Sequence, residues 1–249
     1  MYYFIFDAIK GSKGRVEAEK IKDVARQFSI LSASSHVSPA RNADELVQDA
    51  IAKNFTTIVC VGEDTLVNDV VTAIVKHAQS PIALGIISTA ADSLLAERWG
   101  LNSIEQSLET LRFRKLEKFT VGMIEPNHFF LSSARIECRR PTRFIIEIDH
   151  FKVEAILDRI EISNNLYILL ERFGKERSVL KSTINWFSGK DNTFADRSVF
   201  KGKIIKVSSS ENVPVLVGNR EVARTPINVF RKINALNIIT KRDKISYES

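Results

Sequence analysis

A β-branched run, a polar glycine-led turn and a helical stripe follow one another at residues 56–75, and that succession is where a chain can hold a phosphate. Thr56–Val61 is almost wholly apolar and β-branched. Gly62-Glu-Asp-Thr-Leu-Val-Asn-Asp69 comes next, and Leu66, Val67, Val70, Val71, Ile74 and Val75 then recur at helical spacing. A helix starting there offers free N–H groups and the positive end of its dipole to an anion lying beyond the strand. Two further strand ends have the same character: Asp7-Ala-Ile-Lys-Gly-Ser-Lys-Gly14 after an opening apolar run, and Ser88-Thr-Ala90 after Ile82–Ile87.

Other chemistries find less support. His36, His77, His128 and His150 fall in different expected elements, which argues against a histidine metal site, and no metal-ligand set is read. Cys60 lies inside an apolar run and Cys138 stands beside Arg139, so neither has metal spacing nor a disulfide framework, and both read as reduced thiols. Trp99 and Trp186 read as packing anchors. Lys10 and Lys13 suit a solvated loop more readily than a phosphate contact.

The elements that would position these loops alternate. Tyr2–Phe6 reads as a strand and the Lys10–Gly14 stretch as a loop. Ala18, Ile21, Ala25 and Phe28 keep helical spacing, and Ser29–Ala33 reads as a strand. Asn42 with Glu45 has the form of a capping box ahead of the apolar face Ala43, Leu46, Val47, Ala50 and Ile51. Ala90–Trp99 is the next expected helix. Repeated βα units of this size predict a doubly wound α/β domain with a parallel sheet, of nucleotide-binding type, over residues 1–112. From Phe113 the texture changes to short runs separated by turn residues: Phe119–Ile124, Phe129–Ser133, Phe144–Ile148, Val153–Ile162, Leu166–Leu170, Lys203–Val207, Val213–Val217 and Ile227–Phe230. These predict a mostly antiparallel β-sandwich domain over residues 113–249, with Ile184–Phe187 as a helical insertion.

Composition bounds the class. A chain of 249 residues is long for one core and comfortable for two, and 44% hydrophobic with 27% charged residues excludes wholesale disorder. No apolar run approaches the ~20 residues needed to span a bilayer. Met1–Phe6 lacks a basic flank and is cut short by Asp7, so it reads as a strand, not a signal peptide, and a cytoplasmic location is expected. Residues 1–138 carry 15 Lys+Arg against 17 Asp+Glu, whereas residues 139–249 carry 21 against 13. The basic excess therefore belongs to the second half, in groups such as Arg139, Arg140 and Arg143; Arg172, Lys175 and Arg177; Lys201, Lys203 and Lys206; Lys241, Arg242 and Lys244. A face of this kind can meet an anionic membrane surface or lipid, placing the protein peripherally at the membrane, or it can be solvated surface. Nucleic acid is disfavoured, because no helix-turn-helix, zinc finger or aromatic RNP-type signature accompanies the charge.

Set against known patterns, the chain resembles the lipid kinases that include diacylglycerol and sphingosine kinases, with NAD kinases more distant. Their strand-plus-G-G-D-G-T-L-N-E-V signature falls on residues 62–70, keeping Gly62, Asp64, Asn68 and Val70, with Asp69 for the acid. Phe4–Gly14 is similar to the family's opening strand and N-P-x-S-G loop. Leu84–Gly100 lines up with L-G-I-I-P-L-G-T-G-N-D-F-A-R-x-L-G, and Val213–Pro226 with P-V-x-V-D-G-E-x-x-x-x-T-P. The resemblance implies a two-domain fold with ATP and Mg²⁺ in the cleft, and transfer of the γ-phosphoryl group to a lipid hydroxyl. It implies nucleotide contacts from Asp7, Lys10 and Gly11, from Gly62, Glu63, Thr65 and Asn68, and from Ser88, Thr89 and Ala90. Asp64 would be the general base near the lipid hydroxyl, or it is only a helix cap; both readings stand.

The departures point the other way. Glu63 and Thr65 replace glycines whose backbone would approach phosphate, and Glu63 adds negative charge beside an anionic ligand. Ala90–Leu94 replaces G-T-G-N-D, Asp7 and Ala8 stand for N-P, and Gly218-Asn-Arg220 replaces D-G-E, exchanging an acid for a base. Ser163-Asn-Asn165 runs straight into Leu166–Leu170 where members carry a Gly-rich acidic loop that helps hold Mg²⁺. The favoured expectation is a pseudokinase with eroded ATP and Mg²⁺ sites, kept as a binding or regulatory module. The alternative is a divergent, active lipid kinase leaning on Asp64, Asn68 and Asp69.

Overall fold

The mostly apolar β3 (Thr57–Gly62), every residue of which is buried, lies inside a parallel sheet. The structure, a computed structural model, describes residues 1–9, 11–90, 93–101, 103–175 and 193–241. Lys10, Asp92, Arg177, Trp186 with the expected insertion at Ile184–Phe187, Arg242 and Lys244 lie outside the described residues, as do the side chains of Lys13 and Lys175.

In the N-terminal half, β1 (Tyr2–Phe6), α1 (Gly11–Gln27), β2 (Ser32–His36), α2 (Ala43–Ala52), β3, α3 (Asp64–His77), β4 (Ala83–Ser88), α4 (Leu94–Trp99) and α5 (Ile104–Phe113) follow in order. The strands pair in parallel as β2-β1-β3-β4. Alternation along β1 divides the core. Tyr3 and Ile5 join α2 and α3 on one face, while Phe4 and Phe6 join α1 and α5 on the other. The chain turns one way from β1 to β2 and the other way from β1 across to β3. The switch point of a doubly wound sheet therefore falls between β1 and β3, where such sheets leave a crevice beyond the strand ends.

The Asn42 capping box forms as expected, Glu45 N–H donating to Asn42 Oδ1 at 3.0 Å and Asn42 N–H to Glu45 Oε2 at 3.0 Å. Three other boundaries differ from the sequence reading. α1 begins at Gly11, inside the stretch read as a loop, with Gly11 at φ 72°, an entry turn suited to glycine. β2 starts three residues late because Ser29 takes φ 59° to end α1, and Ile30 tucks beneath that helix with its N–H on Ala25 O. α4 starts only at Leu94, where Ser93 caps it by accepting from Ala96 N–H at 2.9 Å. α5 had no counterpart in the reading, although Ser103 caps it in the same manner through Gln106 N–H.

The second half is antiparallel. It comprises β5 (Lys115–Ile124), β6 (His128–Phe130), β7 (Ser133–Ile148), β8 (Phe151–Ser163), β9 (Tyr167–Lys175), β10 (Thr193–Lys201), β11 (Ile205–Ser209), β12 (Pro214–Val217), β13 (Arg220–Arg224) and β14 (Ile227–Thr240). These strands enclose a second core that includes Phe130, Phe144, Ile160 and Val229. The β7–β8 register shifts between Glu137 and Thr142, an irregularity of the type that bends paired strands. β14 pairs antiparallel with β5 along most of its length, with β11 at its start and parallel with β4 near its end, so strands of both halves form one continuous ladder. Among the described residues no helix is long and apolar enough to cross a membrane.

Candidate functional site

Three loops meet beyond the C-terminal ends of β1, β3 and β4. Asp7 N–H donates to Val61 O at 2.9 Å, prolonging the β1–β3 ladder into the first loop. Gly62 is closely approached: a Cβ there would fall 2.9 Å from Leu66 Cδ2 and 3.0 Å from Asp7 Cβ. Thr89 N–H reaches Gly62 O at 3.3 Å, so the loop after β4 lies beside the loop after β3. Ser88 Oγ accepts from Ala90 N–H and shapes the next turn. Asp7, Gly62, Glu63, Asp64, Thr65, Ser88, Thr89 and Ala90 are thus gathered at one end of the sheet. Gly11 opens α1, and Lys10 is outside the described residues.

Each residue of the signature loop has a definite partner or place. Glu63 takes the N-cap position of α3 without a side-chain capping bond. Asp64 Oδ1 accepts from Ser93 Oγ at 2.5 Å and Oδ2 from Leu95 N–H at 3.4 Å, so its carboxylate joins the start of α3 to the start of α4. Thr65 Oγ1 accepts from Asn219 N–H at 3.1 Å. Gly218, at φ 60°, sits so close that a Cβ would fall 2.6 Å from Thr65 Oγ1. Thr65 carries a side chain where the resembled pattern has glycine, and Gly218 has none where it has aspartate; the two residues fit one another.

Asn68 is placed elsewhere, 3% exposed in the junction between α3 and the β6–β7 connection. Its Nδ2 donates to Asp64 O at 2.7 Å and to Ser132 Oγ at 3.2 Å, and its Oδ1 accepts from Leu131 N–H at 2.9 Å. One turn on, Thr72 exchanges two hydrogen bonds with the Phe129 backbone. The polar side of α3 is therefore stitched to the second half of the chain. Asp69 closes the row in an ion pair with Arg220 at 2.6 Å. Burial pushes the Asp69 carboxyl up despite that guanidinium, and nearby Asp7 adds to the rise. His128 beside them is held below the usual imidazole range by burial and by Lys76 and Arg220.

The space left around the loops is divided. A cavity of about 230 Å³ under the first loop is bordered by Asp7, Glu17, His36 and Glu63. A second, of about 420 Å³, lies between Glu63, Asp64 and Thr65 on one side and Ser133, Arg135 and Gly218 on the other. Glu63 borders both. Arg135 donates to Gly218 O at 2.7 Å, steadying the turn that meets Thr65. Among the described residues no three His, Cys, Asp or Glu side chains gather in a metal-holding group. Cys60 is fully buried, and desolvation pushes its thiol well up, consistent with an inert thiol. Trp99 packs edge-on against Phe119 at 5.5 Å, an anchor as expected.

Sequence reasoning missed Ser93, Ser132, Arg135 and Asn219. Ser93 carried a usable signal, an N-cap residue type just ahead of an apolar run. The other three come from strands and turns whose approach to α3 is set by long-range pairing alone.

A chain of this architecture, with its polar loops at the switch point of a doubly wound sheet and an antiparallel second half, has a fold shared with known kinases. Residues 2–124 match the family model of the diacylglycerol kinase catalytic domain, so the N-terminal half of the chain is similar to that family. It is similar to a diacylglycerol kinase from Bacillus anthracis str. Sterne, with a TM-score of 0.73 and 14% identity over 96% of this chain and 97% of that one. A putative diacylglycerol kinase from the same organism gives a TM-score of 0.74 at 13% identity over the same shares. An NAD kinase from Archaeoglobus fulgidus, solved in complex with ATP, gives 0.53 at 15% identity over 96% of this chain and 94% of that one. No curated protein sequence matches significantly.

Proposed function

We propose that this chain is a pseudokinase of the diacylglycerol kinase type, a binding or regulatory module that keeps the fold without robust phosphoryl transfer. The observation that carries this reading is the Asp69–Arg220 ion pair. The family pattern puts an acid at each of these two positions. Two facing carboxylates repel, and a divalent cation relieves that repulsion; a carboxylate facing a guanidinium is already compensated and attracts no metal. The residues present do not fit Mg·ATP in the way the resemblance implies. Glu63 sets a negative charge between the two cavities, and Thr65 fills the approach that a glycine would leave to phosphate. Phosphoryl transfer depends almost wholly on positioned charge, so its loss has no covalent chemistry to compensate.

A divergent active kinase is the second reading, supported by the 420 Å³ cavity that Asp64 borders. Radiolabelled ATP with mixed vesicles containing diacylglycerol or a sphingoid base separates the two. The pseudokinase reading expects no labelled lipid from the wild type. Labelled lipid that vanishes in Asp64→Asn would establish the kinase instead.

A further inference from the structure

The basic excess of the second half is unevenly placed. Much of it is neutralised within the sheet: Arg143 pairs with Glu154, Arg159 and Arg197 with Glu171, Arg172 with Asp158 and Lys206 with Glu147. Lys152, Lys201 and Lys203 are exposed and have no carboxylate in an ion pair among the described residues.

These three lysines share one end of the antiparallel half. The β7–β8 turn at Asp149–His150 lies against the β10–β11 connection, because Asp149 Oδ1 accepts from Lys203 N–H at 2.8 Å and Ile204 N–H at 2.9 Å. Of the acids near this tip, Asp149 is thereby engaged by backbone, and Glu147, opposite Lys152 in the β7–β8 register, pairs with Lys206 at 3.7 Å. Gly202 N–H donates to Leu166 O at 3.1 Å, which brings in the start of β9, and Lys201 Nζ lies 4.8 Å over the Tyr167 ring. Among the lysines the tip displays Phe151, Tyr167 and Ile204, which are 75%, 46% and 41% exposed.

Large apolar side chains held out at turn tips, ringed by lysines that make no carboxylate ion pair among the described residues, match a bilayer interface. The rings and the isoleucine enter the headgroup boundary, while the ammonium groups stay level with anionic phosphates. The tip is built of turns, and its residues line none of the four cavities bordered by Asp69, Asp7, Asp64 and Lys118. We propose that this tip is a docking surface for an anionic lipid bilayer, with Phe151 and Ile204 as the inserting side chains and Lys152, Lys201 and Lys203 as the headgroup contacts. It rests on the tip alone and is independent of whether the cleft transfers phosphate.

Co-sedimentation of the full chain with phosphatidylcholine vesicles, with and without phosphatidylserine, tests it. The wild type should bind only the mixed vesicles, more weakly as salt rises. Lys152→Gln/Lys201→Gln/Lys203→Gln should weaken binding about a hundredfold, at about fivefold per lysine. Phe151→Ser/Ile204→Ser should weaken it about tenfold or more. Lys20→Gln/Lys76→Gln/Lys118→Gln, with the same charge change on other elements, should leave it within about twofold. Equal binding by the tip and control variants, no preference for phosphatidylserine, or binding to a single-stranded oligonucleotide as tight as to vesicles would overturn the proposal.

Discussion

Replacing Asn68 with alanine separates a structural stitch from a ligand contact. The side chain is 3% exposed and makes three hydrogen bonds, to Asp64 O, Ser132 Oγ and Leu131 N–H. Neutral hydrogen bonds contribute about 1 kcal/mol each in net terms, and leaving the buried Leu131 N–H without an acceptor adds a desolvation cost of about 1 kcal/mol or more. Relief elsewhere is limited, because Thr72 is already committed to Phe129. The expected loss is therefore about 4 kcal/mol, a fall in Tm of roughly 8–16 °C for a chain of this size. Urea unfolding followed by circular dichroism should show the lower midpoint with an unchanged slope. In a double-mutant cycle with Ser132→Ala the two losses should be less than additive, since both remove one shared bond. A loss below about 1 kcal/mol, with additive behaviour, would refute the claim that Asn68 holds α3 to the β6–β7 connection.

Other consequences follow from the same contacts. Gly218→Ala should cost about 2 kcal/mol, because its φ is 60° and the new Cβ meets Thr65 Oγ1 at 2.6 Å; adding Thr65→Gly should restore part of that stability in thermal melts, and no restoration would count against the fitted pair. Arg220→Glu should lower stability by about 1–2 kcal/mol at neutral pH, since the pair is partly exposed, and acidification should recover much of the loss as the facing carboxyls protonate. His36 and His128 are both held below the usual imidazole range, chiefly by burial. Their neutral forms are favoured in the fold, so the stability they confer is complete above about pH 6.5 and is lost as pH falls toward their folded pKa values. His36→Gln/His128→Gln should flatten that acid-side slope in melts taken from neutral to mildly acidic pH, and an unchanged slope would contradict it.

The parallel half was legible because its signals are local. A strand buried on both faces is apolar for nearly its whole length, and β3 is, Thr57 apart; an Asn42–Glu45 box must start a helix, and it starts α2. The boundaries moved where one residue decided them, as with Gly11 and Ser29, whose positive φ values are set by packing as much as by residue type. The three loops could be placed together because the C-terminal ends of parallel strands always share one edge. The chain's own use of that edge could not be read. Ser93 on Asp64 joins residues 29 apart, whereas Asn219 on Thr65 and Arg220 on Asp69 join residues more than 150 apart. The exchange of acid for base at Arg220 was visible as a letter. That it answers Asp69 required the β12–β13 hairpin to be set against α3 by β7.

Titration with ATP, with and without Mg²⁺, while following thermal unfolding tests the central claim most directly. A ligand at a hundred times its Kd adds about 2.7 kcal/mol, roughly 5–11 °C in Tm here. A closed, charge-compensated loop predicts no shift for the wild type at millimolar nucleotide, with or without the metal. A saturable, Mg²⁺-dependent rise of that size, abolished in Asp64→Asn, would contradict the account and return the cleft to catalysis.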